Sequence, residues 1–180
     1  MQTGNVTDLA LLGDGFFVVR TPDGVAYTRQ GNFKVTQAGV LVTSDGYPVL
    51  SMAGDRPEGG QPVTINTDLG GATKFVVDAN GNLTFNGETF AQLAIYDFPK
   101  PYQLKKLGSA LFIPANEEAA ARPAPPTTTV AQGSIEKSNV DTVSEMVNMV
   151  ETSRFFETCQ RVIRGFDDMA SKAVNELARV

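Results

Sequence analysis

The sequence contains no histidine and only one cysteine among its 180 residues. Without histidine the chain alone can build no Ser-His-Asp or Cys-His triad, and it lacks the commonest general base near neutral pH. The single cysteine, Cys159, excludes an intrachain disulfide and an all-thiolate zinc site made by this chain alone. We therefore expect no catalytic residues, no metal site and no cofactor.

Long hydrophobic runs and an excess of positive charge are also missing. No run of roughly 18 apolar residues occurs, and the first residues lack the basic and apolar regions of a secretory signal. The chain carries 15 basic and 20 acidic residues, a net charge of −5, which argues against binding to a phosphate backbone. We expect neither a nucleic-acid partner nor direct insertion into a membrane.

Glycine is concentrated in the first part of the chain, where 15 of the 17 glycines lie between Gly4 and Gly108. This density is typical of short strands joined by tight turns. The pair Asn80-Gly81 is one that a tight hairpin prefers. Apolar runs interrupted by turn signals predict three hairpins, over residues 16–29, 40–50 and 74–85. The sequence therefore predicts a mainly β domain, short-stranded and hairpin-rich, over residues 1–115.

Proline marks the next region, because six of the ten prolines lie between Pro99 and Val130. Proline does not continue a helix and favours an extended, semi-rigid path. We predict a proline-rich extended connector over residues 116–137. The chain from residue 138 onwards has no proline and only one glycine, Gly165, and alternates helix formers with charged residues.

The last region, residues 138–180, is predicted to be one long amphipathic helix. Ser138, followed three residues later by Asp141, is typical of a capping box at a helix start. Apolar residues then recur at alternating steps of four and three, which is the spacing of a coiled coil. We call this set the heptad seam, and it consists of Cys159, Ile163, Phe166, Ala170, Ala173 and Leu177.

Apolar residues continue towards the start of this helix. Met149 and Phe156 extend the heptad seam, and a neighbouring stripe contains Val143, Met146, Val147 and Val150. Ordering the backbone costs ~1–2 kcal/mol per residue, so such a helix needs its apolar residues covered. The helix could pack on its own β domain or on a partner helix. Its length and its proline-rich approach favour the partner helix.

Three local patterns imitate known sites without matching them. The loop from Asp78 to Asn82 begins like a calcium loop, but its glycine is fourth instead of sixth and Thr89 stands at the twelfth position. Gly13-Asp14-Gly15 begins like a dinucleotide-binding loop, but Val18 stands where the third glycine belongs. Cys159 has no histidine to activate it. We interpret these residues as turns and packing.

Two sequence blocks carry a family resemblance. Residues 9–50 contain the patterns GDGFF, YTR.GNF and G.LVT.DGYPVL, and residues 133–163 contain SNV, EMV.M and R..E. Both blocks resemble the signature of the bacterial flagellar rod and hook protein family, and they occur in the family's order with a variable β region between them. The chain is therefore identified as a member of this family.

The resemblance implies a structural subunit of the flagellar basal-body rod and not an enzyme. Such subunits stack helically into a hollow axial shaft in the periplasm, which transmits motor torque and encloses the export channel. They are exported by the flagellar type III route without a cleaved signal. The implied partners are other copies of the chain and neighbouring rod and hook-basal-body proteins.

The chain departs from the family pattern in two places. The family's N-terminal helix, which pairs with the C-terminal one, has no counterpart, and we expect the chain to lack it. Distal-rod and hook members commonly have Arg-Ala-Tyr-Glu where this chain has Arg154-Phe155-Phe156-Glu157. This variation, with the short β domain and the ending from Ala173 to Leu177, indicates the proximal-rod subtype.

Site residues follow from the helix block and the heptad count together. The candidate polymer contacts are Met146, Met149, Phe156, Ile163, Phe166, Ala170 and Leu177. In the β domain, we expect the glycines at positions 13, 15, 24, 31, 39 and 46 at turns and close approaches, and Phe16, Phe33, Tyr47 and Leu50 in the core.

A second function class fits the same outline. The chain could be a carbohydrate-binding or adhesive β-module, with the helix as an oligomerisation stalk. Tyr96 and Tyr102 would then supply surface aromatics for glycan binding. An enzyme is the third alternative and would need a cleft lined by carboxylates or lysines with shifted pKa values.

Overall fold

A computed structural model describes residues 1–54, 56–65, 75–108, 110–116 and 120–177 of the chain. These residues form two compact units, Met1–Lys137 and Ser138–Val180. The first unit is built from short strands and the second is a helix, which confirms the predicted fold class. Each unit is described by itself below.

The first unit contains short antiparallel strands and a single 3-10 turn at Pro57–Gly59 among its described residues. Most strands have five residues or fewer, as the glycine-rich turns predict. In chain order they are β1 (Leu9–Leu12), β2 (Phe16–Thr21), β3 (Gly24–Thr28), β4 (Lys34–Val35), β5 (Leu41–Val42), β6 (Val76–Val77), β7 (Asn82–Phe85), β8 (Glu88–Gln92), β9 (Ile95–Asp97), β10 (Leu104–Leu107), β11 (Leu111–Pro114), β12 (Arg122–Pro123) and β13 (Thr129–Gln132).

The largest sheet has six strands in the order β10-β11-β3-β2-β9-β12. Its centre is the predicted hairpin of β2 and β3, which turns at Gly24 in the left-handed region, with φ 130°. Both faces of this sheet are covered, because Phe17 and Val19 pack in one apolar cluster and Phe16 and Val18 in another. This explains the continuous apolar run of β2.

The described residues form three smaller sheets as well: β1 with β13, β4 with β5, and β6-β7-β8. The predicted Asn80-Gly81 turn joins β6 to β7, with Gly81 at φ 79°. The carboxylate of Asp78 accepts hydrogen bonds from the amides of Asn80 and Asn82, at 2.8 and 2.9 Å. The side-chain amide of Asn82 donates to the same carboxylate at 2.8 Å, and this bond, followed by the bond from the Asn82 backbone, lowers the pKa of Asp78. The loop is the expected turn.

The core contains the residues that the sequence predicts for it. Phe16, Phe33 and Leu50 are buried, and Tyr47 is half-buried against the apolar cluster that contains Phe33. The rings of Phe17 and Phe33 meet edge to face, with centroids 5.1 Å apart.

Glycine serves both predicted purposes in this unit. Five of the six named glycines have positive φ, namely those at positions 13, 15, 24, 39 and 46. The sixth, Gly31, is a close approach: a Cβ there would lie 1.6 Å from the carbonyl oxygen of Leu9.

The segment predicted as a connector, residues 116–137, includes β12 and β13. Pro123 is tolerated because β12 is an edge strand, where a missing N–H costs no ladder bond. Strand β13 pairs with β1 from Leu9↔Gln132 to Leu12↔Thr129. The first compact unit therefore runs through this segment, and the three-part division of the chain stays a prediction.

The second unit is the helix α1 (Thr142–Leu177), with 36 residues. At ~1.5 Å per residue it is about 54 Å long. The helix begins four residues after Ser138, the position expected for its cap, because another residue, Asp141, caps the first turn.

Candidate assembly interface

The first turn of α1 is capped by Asp141 and not by Ser138. One carboxylate oxygen of Asp141 accepts the amide of Val143 at 3.1 Å, and the other accepts the hydroxyl of Ser144 at 2.8 Å. The backbone carbonyl of Asp141 accepts the amide of Glu145 at 3.0 Å, the first helical bond. The hydrogen bond from Ser144, followed by that from Val143, lowers the pKa of Asp141. Ser138 instead accepts the amide of Val140 in a local turn.

The candidate polymer contacts all lie on α1, and their described side chains face solvent. The exposed fractions are 62% for Met146, 74% for Met149, 62% for Phe156, 60% for Ile163 and 63% for Phe166. Ala170 is also exposed, and the side chain of Leu177 lies outside the described residues. The helix therefore presents a long row of large apolar side chains.

A second element of the site is the place where the chain leaves the β unit. The N–H of Ile135 donates to the carbonyl of Met1 at 2.9 Å, and the amino group of Met1 donates to the carbonyl of Ile135 at 3.0 Å. The amide of Thr3 donates to the carbonyl of Gly133 at 2.7 Å. The first residues of the chain therefore run antiparallel to the segment that leads towards α1.

Arg29 also holds the segment that leads towards α1, through Glu136. Its guanidinium forms an ion pair with Glu136 at 2.9 Å and donates to the carbonyls of Gly13 and Gly15, at 2.9 and 2.8 Å. The YTR pattern contains Arg29 but does not predict this role. Arg29 directly follows strand β3 and stands between the polar residues Thr28 and Gln30, so no local pattern indicates it.

Gln132 is another residue that sequence reasoning missed. Its side-chain amide donates to the carbonyls of Val6 and Phe75, at 2.8 and 3.1 Å, and its oxygen accepts the amide of Val77 at 3.1 Å. One half-buried side chain therefore joins three segments far apart in sequence. A polar residue ending the apolar strand β13 was the only indication.

A small group of polar side chains on the surface of the β unit forms an ion pair and hydrogen bonds: Asp14, Asp97, Lys100 and Tyr102. Lys100 lies 2.7 Å from Asp14, and this hydrogen bond lowers the pKa of Asp14 and raises that of Lys100. Tyr102 donates to Asp97 at 3.1 Å, and desolvation is the main cause of its raised pKa. These side chains are largely exposed and paired with one another, which suits a structural ion pair. Over the described residues no group of three or more metal-ligating side chains occurs.

The structure contradicts one residue of the glycan-binding alternative. Tyr96 was expected on the β surface, but its side chain is fully buried and its hydroxyl donates to the carbonyl of Gly54 at 2.7 Å. Strand β9 is an inner strand of the large sheet, so its two faces both meet apolar clusters. Tyr102 is exposed, as expected.

Comparison with known families matches both parts of the chain. Residues 10–85 match the flagellar hook protein FlgE/F/G D1 domain, and residues 131–176 match the flagellar basal body rod FlgEFG protein C-terminal region. The flagellar basal-body rod protein FlgF of Rhizobium meliloti is 35% identical over 182 residues, covering 98% of this chain and 69% of that protein. The chain belongs to the flagellar basal-body rod protein family. The predicted family, and with it a structural rod protein of the basal body, is confirmed.

Other rod proteins match over nearly the whole chain as well. The rod protein FlgG of Bacillus subtilis is 36% identical, over 97% of this chain and 66% of its own length. The FlgF of Caulobacter vibrioides is 30% identical, over 99% of this chain and 69% of its own. The chain thus spans about two-thirds of the length of these rod proteins. Relatives named FlgF and FlgG both match, at 35% and 36% identity, and the proximal-rod subtype stays a prediction.

The helix of this rod-family chain is amphipathic. Among the described residues, no helix combines the length and the hydrophobicity that a bilayer crossing requires. Its apolar side chains alternate with charged residues along the whole of α1. Such a helix suits contact with protein.

Proposed function

We propose that this rod-family chain is a subunit that polymerises helically into the axial shaft of the flagellar basal body through the apolar side chains of α1. The shaft transmits motor torque and encloses the export channel. Its partners are other copies of the chain and neighbouring rod and hook-basal-body proteins, and it performs no catalysis. The observation that carries the proposal is the row of exposed apolar side chains on a 36-residue helix.

The energetics of this row support assembly. Each large apolar side chain that a neighbour covers contributes roughly 1.5–3 kcal/mol. Phe156, Ile163 and Phe166 together offer enough apolar surface to make covering the helix favourable. Contiguous exposed apolar patches on soluble proteins mark sites of protein interaction.

The contacts of Ile135 and Glu136 with the rest of the β unit support the transmission of force. The chain that leads to α1 is held by Arg29 at Glu136 and by the paired backbone at Ile135. Load applied beyond this point therefore reaches the β unit through several bonds at once. A torque-bearing shaft needs this continuity between its parts.

The proposal is tested by adding a charge to the helix row. We expect Phe156→Lys and Ile163→Lys to abolish self-association in sedimentation velocity and incorporation into rods isolated from cells that carry the variant. The control is Thr158→Lys, which adds the same charge between these two positions but roughly 140–160° around the helix from both of them. The four tyrosines all belong to the β unit, so near-ultraviolet circular dichroism of tyrosine checks that this unit remains folded.

Two results would count against the proposal. If Phe156→Lys and Ile163→Lys enter rods as efficiently as Thr158→Lys, α1 does not form the polymer contact. If all three variants lose assembly together, the effect is one of added charge and not of the apolar row.

A further inference from the structure

A cavity of about 350 Å³ lies in the β unit, beside the turn that joins β6 to β7. Its volume is at the lower end of the range of small-molecule sites, ~300–1,000 Å³. One part of the lining is polar and consists of the side chains of Asn80, Asn82 and Gln92, while apolar residues such as Met52 and Pro125 line much of the rest. Of the described residues that line the cavity, none is charged. The cavity therefore suits a neutral ligand.

The protein leaves part of the hydrogen-bonding capacity of these amides unused. Asn80 is bonded through its backbone N–H and carbonyl, and among the described residues its side-chain amide has no partner. Gln92 donates to the carbonyl of Asn80 at 3.4 Å, which leaves its side-chain oxygen and its second N–H free of described partners. The cavity thus offers donors and acceptors together, as a ligand with its own N–H and C=O groups requires.

An exposed aromatic ring lies on the same face of the sheet as these amides. Phe90 and Gln92 are two residues apart on β8, so their side chains point to the same face, about 7 Å apart. Ala91, between them, packs against the core and so marks the other face. Asn82 pairs with Gln92 and shares its face. Phe90 is 40% exposed, so an apolar ring stands open to solvent beside the amides of the cavity.

We propose that this cavity binds an N-acetylated amino sugar unit of a glycan, with the next sugar unit on Phe90. An acetamido group has one N–H and one C=O, which match the free acceptors and donors of Asn80 and Gln92. The faces of a sugar ring carry C–H groups, which pack on apolar surfaces such as Pro125 in the cavity and the ring of Phe90. The inference does not depend on the proposed function, since these residues all belong to the β unit.

A peptide is the other common ligand with amide groups, and the geometry favours it less. An extended peptide binds along the edge of a strand through a row of backbone groups. Here the free groups belong to side chains from a turn and two strands that meet at one cavity. Such a convergent set matches a compact unit with hydrogen-bonding atoms on several sides. The residues also differ from Tyr96 and Tyr102, the pair that the sequence indicates for glycan binding.

The test uses N,N′-diacetylchitobiose, with cellobiose as the matched ligand, because cellobiose has the same linkage and hydroxyls in place of the acetamido groups. We expect isothermal titration calorimetry on the whole chain to show saturable binding of the first and roughly tenfold weaker binding of the second. Asn80→Ala and Gln92→Ala are each expected to weaken binding of the first about five- to tenfold. Gln37→Ala, at an exposed glutamine that does not line the cavity, is expected to bind like the unaltered chain.

The position of the second sugar unit has its own test. Phe90→Ala is expected to weaken the disaccharide several-fold and to leave the affinity for the monosaccharide N-acetylglucosamine unchanged, because only the second unit contacts the ring. Equal losses for both sugars, or no loss for either, would contradict this placement. Near-ultraviolet circular dichroism of tyrosine checks that the β unit of each variant is folded.

Three results would overturn the inference as a whole. The first is no saturable binding of the disaccharide, or equal affinity for cellobiose. The second is full binding by both Asn80→Ala and Gln92→Ala, which would place the glycan elsewhere. The third is binding of N-acetylalanine methylamide as tight as that of the disaccharide, which would show a peptide site. Each of these results leaves the proposed function intact, since the variants of α1 test it separately.

Discussion

Gly31→Ala tests how tightly strand β1 is held against the rest of the β unit. The φ of Gly31 is not in the left-handed region, so space alone decides what the position accepts. An added Cβ would lie 1.6 Å from the carbonyl oxygen of Leu9 and 2.7 Å from its carbonyl carbon. Both are backbone atoms, so β1 must move by about 2 Å to restore ordinary contact.

The cost of that movement can be estimated from what β1 loses. The amide of Leu9 donates to the carbonyl of Gly31 at 2.9 Å, and Leu9 is fully buried in the core. Overpacking costs ~1–3 kcal/mol and a lost hydrogen bond about 1 kcal/mol more. We expect the free energy of unfolding to fall by about 3 kcal/mol, and Tm by about 10 °C for a unit of this size.

Thermal unfolding followed by tyrosine fluorescence measures this loss, since the four tyrosines report on the β unit alone. The matched control is Gly59→Ala, where the new Cβ would make an ordinary contact of 3.4 Å with Ala53. We expect this control to change the free energy of unfolding by no more than about 1 kcal/mol. Equal Tm values for the two variants would refute the packing argument.

Two further predictions concern polar groups. Gln132→Leu leaves three backbone groups without their partner and is expected to lower the free energy of unfolding by ~1–3 kcal/mol in urea titrations; an unchanged midpoint would contradict this. Asp141→Ala is expected to lower the helix content of α1 at neutral pH, whereas Ser138→Ala does not. Because the pKa of Asp141 is lowered by folding, its capping contribution is complete above the ordinary value of 3.8 and is lost as the pH falls through the folded pKa. Circular dichroism at 222 nm should therefore show the variant and the unaltered chain converging in acid; a constant difference would exclude the carboxylate as the cap.

Local features of the β unit were predictable because they depend on neighbouring residues. The hairpin of β2 and β3 and the turn at Asn80-Gly81 follow from turn residues between apolar runs. The core positions of Phe16 and Leu50 follow from hydrophobicity alone. In each case the signal lies within a few residues of the structure that it predicts.

Features that join distant segments were not predictable in this way. The pairing of β1 with β13 brings Leu9 beside Gln132, and no local sequence pattern predicts this pairing. Tyr96 is buried because its strand lies inside a sheet covered on both faces, which depends on strand order. The choice of Asp141 over Ser138 as cap depends on where the first helical bond forms.

On the candidate site, heptad counting located the exposed apolar residues, and helical geometry changed their interpretation. The steps of four and three identify the heptad seam from Cys159 onwards. The same count does not show that Val143 and Val150 lie roughly 160–180° around the helix from the centre of that seam. Their separation from the seam becomes clear only when positions are measured around one continuous helix.

The meeting of Met1 with Ile135 has a consequence for how this architecture can vary. Everything between these two residues forms a loop of chain that departs from and returns to one point. Strands can be inserted into such a loop, or removed from it, without changing the distance between its ends. The β unit is therefore free to change in size while the pairing of Met1 with Ile135 stays the same.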